Sequence, residues 1–172
     1  GEMTMDTIHW KEGGLGGTIY RTQGAKALAY ILEPEPVTDK VASVAEELSL
    51  TLVSISGMDW NRDLSPWKVE KVFKGEEDFS GGADDFMEKL ENKVFPAIEE
   101  MAGPLPDHRM MAGISLSGLF ALYMGTRSSA FSAIASISGS LWFDGFTDFM
   151  KEKGLHTAVK RVYLSLGDRE KK

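Results

Sequence analysis

The chain has 172 residues, of which 42% are hydrophobic and 26% charged, an ordinary composition for one domain with a buried core. A formal net charge of −7 argues against nucleic acid and anionic membrane surfaces as partners. Cysteine is absent, which removes disulfides, thiolate metal sites and cysteine nucleophiles; with no bilayer-length apolar run and no signal pattern, a cytoplasmic protein is expected.

Residues 1–11 carry no clear pattern. Gly13, Gly14, Gly16 and Gly17 have the density of a phosphate loop, but no Lys-Ser/Thr follows at the spacing such a loop needs, so a hairpin or loop is expected. Ala27–Leu32 is a continuous apolar run of strand length, closed by Glu33-Pro34-Glu35-Pro36. Thr38 or Asp39 can cap a helix over Val41–Leu48, and Leu50–Ser56 is the next strand. Strand, helix and strand in so short a space make a βαβ unit and hence a parallel sheet. A long irregular segment follows from Gly57 to about Gly82, too rich in Trp and Phe for disorder. Asp84 or Asp85 then opens a helix through Glu100, which Pro96 should kink or split.

The next stretch organises the rest. Met110–Ala112 end a buried strand, and Leu116, Leu119, Phe120 and Tyr123 recur at helical spacing. Between them lies Gly113-x-Ser115-x-Ser117, one residue away from the G-x-S-x-G nucleophile elbow. A serine on such a turn is pushed clear of the sheet, and the N–H of Leu116 can hold a developing oxyanion; the competing reading is a helix N-cap by Ser115. Beyond it, Ala133–Ser138 is another strand, Leu141–Gly154 an aromatic-rich excursion with some helix, and Arg161–Leu166 a final strand ending in Gly167-Asp168-Arg169-Glu170.

Four stretches together resemble the bacterial "putative esterase" branch of the α/β-hydrolases, which includes siderophore-ester hydrolases. They are the elbow Gly113–Phe120, the loop Trp60-Asn61-Arg62-Asp63-Leu64-Ser65-Pro66-Trp67, the segment Ser80–Phe86, and Ser165–Glu170. The resemblance implies one α/β-hydrolase domain over residues 1–172, a mostly parallel sheet with helices on both faces. It implies a serine carboxylesterase with a small ester as substrate and Ser115 as the nucleophile. Leu116 would be one oxyanion donor, and Glu33 or Glu35 could supply the second. Glu170 takes the acid position, with Asp168 as its competitor. The family's histidine comes from a loop after the acid, whereas His9, His108 and His156 all precede it and read as surface positions. The expectation is therefore a hydrolase lacking the C-terminal strand, helix and histidine loop. A non-catalytic binding or scaffold protein is the alternative, and an acyltransferase or peptidase using the same serine a third.

Other residues admit two readings each. Arg62 and Asp63 could bind substrate or form a local ion pair that stiffens their loop. Trp60 and Trp67 could line a pocket or anchor the loop in the core. Trp142 and Phe143 follow a strand where pocket walls are expected, and Asp144 is a possible displaced acid. Glu76-Glu77-Asp78 reads as surface acidity, and neither metal nor cofactor is expected.

Overall fold

The computed structural model describes residues 5–34, 39–70, 78–104 and 106–165. The elements run β1 (Met5–Glu12), β2 (Leu15–Thr22), β3 (Ala27–Leu32), α1 (Asp39–Glu47), β4 (Leu50–Ile55), α2 (Trp60–Asp63), β5 (Lys68–Val69), β6 (Phe79–Ser80), α3 (Ala83–Lys89), a π-turn (Leu90–Val94), α4 (Phe95–Ala102), β7 (His108–Ile114), α5 (Leu116–Gly125), β8 (Ala133–Ile137), α6 (Phe146–Lys153) and β9 (Arg161–Ser165). Seven strands form one sheet in the order β1-β2-β4-β3-β7-β8-β9. The pairs β1–β2 and β2–β4 are antiparallel, and every pairing from β4 to β9 is parallel.

The glycine-rich stretch is a hairpin. Gly13 and Gly14 have φ of 59° and 82°, and Glu12 pairs with Leu15 across them, so both turn residues need the left-handed backbone that glycine adopts freely. The antiparallel arm β1 corrects the reading of residues 1–11. In it Trp10 is buried while Thr7, His9 and Lys11 face outward, a period-2 alternation.

The alternation of β3 shows how the core divides. Leu28, Tyr30 and Leu32 join a large cluster with Val53, Met111, Ile134 and residues of α3, α4 and α5. Ala29 and Ile31 join a smaller one with Leu52, Ala112 and Ala135 under Ala42 and Ala45 of α1. Helix α5 is apolar nearly all round, and all ten of its residues are buried. The helical run through Glu100 divides just ahead of Pro96, as expected, into α3, a π-turn and α4. The π-turn precedes Pro96, Phe95 N–H bonding back to Leu90 O, and the chain continues as α4 with proline in its first turn, where no N–H is missed. The segment expected to be irregular holds α2 and the small β5–β6 ribbon. Among the described residues, no helix is long and apolar enough to cross a membrane.

Candidate active site

Strand β7 is central, with β3 on one side and β8 on the other, and it delivers Ser115 at its carboxyl end. Ser115 has φ 58° and ψ −122°, a backbone state that costs a non-glycine residue about 1–3 kcal/mol. The surroundings hold it there. Its N–H donates to Ile137 O at 2.9 Å, and its carbonyl accepts from Gly118 N, Leu119 N and Ser140 N at 3.0, 3.2 and 3.1 Å. Gly113 is dictated by space, since a Cβ there would lie 2.0 Å from Ser117 O.

Ser117 does more than fit. Its buried Oγ accepts from Ile114 N at 2.7 Å, with Leu32 O at 2.7 Å and Ile114 O at 2.9 Å as acceptors for its hydrogen. It thus ties the turn to the neighbouring strand β3.

The Ser115 side chain makes no capping bond to α5, so the helix N-cap reading fails. Its Oγ is instead exposed to a cleft of about 410 Å³ lined by Asp59, Trp60, Asn61, Phe79, Leu116, Ser140 and Trp142. Leu116 is the first residue of α5, and its N–H has no intrahelical carbonyl to bond. An exposed hydroxyl beside a helix-terminal N–H that bonds no carbonyl among the described residues is what attack on a carbonyl and stabilisation of the resulting oxyanion require.

The family model described as "Putative esterase" matches residues 2–172. The chain belongs to that family. The chain is 29% identical over 124 residues to the uncharacterised protein YbbA of Bacillus subtilis, a match covering 70% of the chain and 50% of YbbA. Its fold is similar to an IroE-like serine hydrolase from Shewanella oneidensis, with TM-score 0.70, 22% identity, and 87% of this chain against 55% of that one covered. It is also similar to the siderophore hydrolase EstA from Aspergillus nidulans, with TM-score 0.69, 17% identity, and coverage of 97% and 70%. The chain spans about half the length of YbbA and of the Shewanella hydrolase. The expected α/β-hydrolase architecture is the one found.

Within this fold the expected site residues divide. Ser115, Leu116, Trp60 and Trp142 meet at the cleft. Arg62 and Asp63, expected as substrate contacts, do not line it. Arg62 Nε donates to Asp63 Oδ1 at 3.1 Å, and Asp63 Oδ2 accepts from Asp59 N at 2.8 Å, so the pair stiffens α2. Asp63 and Asp59 together raise the Arg62 pKa. Trp67 anchors its loop, donating to Asp144 O at 2.9 Å and packing among Tyr123, Phe143, Phe146 and Phe149.

Glu33 cannot be the second oxyanion donor in this arrangement, because its N–H is bonded to Ile55 O at 3.0 Å. Burial raises its carboxyl pKa. Glu35, Asp168 and Glu170 lie outside the described residues. None of His9, His108 and His156 lines the cleft; His108 begins β7, at the far end of the strand from Ser115. Among the described residues no three histidine or acidic side chains converge as a metal site would need.

The sequence reading missed Asp59, Asn61, Phe79 and Ser140 as cleft residues. For Ser140 a signal existed, since it follows the carboxyl end of a strand that had to lie near the elbow. The others depend on where α2 and β6 sit relative to the elbow, which no periodicity encodes.

Proposed function

We propose that the full-length protein is a serine carboxylesterase. Ser115 attacks the carbonyl of a small ester, the alcohol departs, and water releases the acid from the acyl-enzyme. The N–H of Leu116 holds the oxyanion, Trp60 and Trp142 flank the ester, and a carboxylate at Glu170 (or Asp168) orients the catalytic imidazole. The reading also places the protein in the cytoplasm, in keeping with a chain that has no cysteine. The observation that carries it is the strained, exposed Ser115 at the mouth of the cleft. The similar Shewanella and Aspergillus proteins, described as a serine hydrolase and a siderophore hydrolase, lend it support.

Attack at neutral pH needs a general base, and this chain's three histidines stand away from Ser115. The proposal therefore assigns the base to a histidine elsewhere in the full-length protein. That same observation favours a second reading, a binding protein of this fold without turnover. Labelling with a fluorophosphonate probe, followed by p-nitrophenyl acetate hydrolysis, separates the two. A full-length esterase is labelled at Ser115, and Ser115→Ala abolishes labelling and lowers kcat by roughly a thousandfold or more. Hydrolysis unchanged in that variant removes Ser115 from the mechanism, and an unlabelled full-length protein favours the binding role.

A further inference from the structure

Ser140 has no task in the reaction just described, yet it is joined to the nucleophile twice. Its N–H donates to the Ser115 carbonyl at 3.1 Å, and its Oγ stands 3.4 Å from Ser115 Oγ. Ser140 is 2% exposed, whereas Ser115 is open to the cleft. The approach is built into the fold. Ile137 ends β8 in register with Ile114 of β7, so the chain leaves both strands side by side. Ser138, at φ 47°, turns it, with its N–H held by Ser165 O at 2.8 Å. Phe143, 1% exposed, closes the turn by donating its N–H to Ser140 O at 3.0 Å. A hydroxyl fixed by its own main chain loses little entropy in orienting another.

On the esterase reading above, we propose that Ser140 is a positioning residue that donates its hydroxyl hydrogen to Ser115 Oγ and so aims the nucleophile. Each serine hydroxyl has one hydrogen and two lone pairs. Donation from Ser115 to Ser140 would turn the hydrogen of Ser115 away from its base. Donation from Ser140 to Ser115 occupies a lone pair and leaves that hydrogen for the imidazole. In the attack, the Oγ–carbon bond forms, the carbonyl π pair moves to the carbonyl oxygen, and the Ser115 proton passes to the imidazole. Ser140 keeps its proton throughout. In deacylation the same Oγ departs with the bonding pair and recovers a proton from the imidazolium. The resting separation is long for an O–H···O bond, and it shortens as Ser115 Oγ gains negative charge, so the contact is stronger in the transition state than at rest.

The test compares Ser140→Ala and Ser140→Thr in the full-length protein, by the rate of fluorophosphonate labelling at Ser115, kcat and KM for p-nitrophenyl acetate, and Tm. Ser140→Ala is expected to label about tenfold more slowly, with kcat lowered and KM little changed, and the Thr hydroxyl to recover most of the loss. Should the Ala variant not fold, Ser140→Cys, nearly the same shape with a weaker donor, is expected to show the same kcat loss. Labelling at the wild-type rate in whichever of these folds, a change in KM alone, or a Thr variant as slow as Ala overturns the role of Ser140 and leaves the esterase reading standing. A wild-type protein that the probe does not label overturns both.

Discussion

At the residue scale, hydroxyl groups decide both the site and one feature of stability. Ser117 shows that a hydroxyl can replace the usual glycine after the nucleophile when it closes hydrogen bonds that glycine lacks. Tyr30 is the opposite case. It is fully buried, with its ring stacked on Phe95 at 4.3 Å, and its hydroxyl has no hydrogen-bond partner among the described residues. Burial pushes its pKa well above the ordinary 10.0, with Arg109 pulling the other way. Tyr123 is pushed up to about 12 by burial and by its bond to Asp84. The folded state thus keeps phenolic protons that the unfolded chain releases. The associated stability is fully present below the ordinary tyrosine range and is lost as pH rises through the folded values. Tyr30→Phe should raise stability at neutral pH by about 1 kcal/mol, because it deletes an unpaired buried O–H. It should also shrink the loss seen above about pH 10, while Tyr123 preserves part of it. Urea unfolding at neutral and alkaline pH measures both effects; a Phe variant less stable at neutral pH would show that the hydroxyl is bonded after all.

At the scale of elements, the loop between β4 and α3 joins fold to site. Ser65 Oγ accepts from Gly81 N at 2.8 Å and donates to Asn61 O at 2.7 Å, while Gly82 N bonds Arg62 O at 2.7 Å. This clamps α2, and with it Trp60 and Asn61, over the cleft. Ser65→Ala should therefore cost about 1–2 kcal/mol, because the half-buried Gly81 N–H loses its acceptor. It should raise KM for small esters more than it lowers the rate of probe labelling at Ser115. Equal Tm and KM in the variant and wild type would show that the clamp is dispensable. The sequence displayed the Arg62–Ser65 motif but not its use, because a serine bridging two loop segments leaves no periodic trace. Apolar runs did announce β3, β4, β7 and β8, whose buried residues leave few alternatives, and β9, whose apolar run is exposed in the structure. The alternation of β1 around Trp10 was readable but interrupted by charge, and the two-residue β5 and β6 are below any pattern's length. Ser115 and Leu116 were legible because the elbow is local. The rest of the cleft is assembled from Asp59–Asn61, Phe79 and Ser140–Trp142, which only the fold brings together.

At the scale of the whole molecule, the two margins of the sheet are unlike. β1 presents Asp6, His9, Lys11 and Glu12, charge and polarity of the kind that discourages strand addition. β9 is paired to β8 along one side, and all five of its residues are exposed, including Val162, Tyr163 and Leu164 at 38%, 52% and 60%. Ile137 of β8 and Leu48 after α1 are also exposed, at 42% and 64%. Among the described residues no strand lies against the outer side of β9, so this margin offers both backbone groups and apolar side chains to another strand or helix. As an isolated polypeptide, residues 1–172 should therefore associate as concentration rises, and the double variant Tyr163→Lys, Leu164→Lys should shift the equilibrium toward monomer. Neither substitution touches the Ser115 cleft, so fluorophosphonate reactivity per chain should not change between the two forms. Light scattering coupled to size-exclusion chromatography distinguishes the outcomes. A wild-type polypeptide that stays monomeric at every concentration would mean that the charge of −7 outweighs the open margin, since self-repulsion is the one opposing force acting over the whole surface.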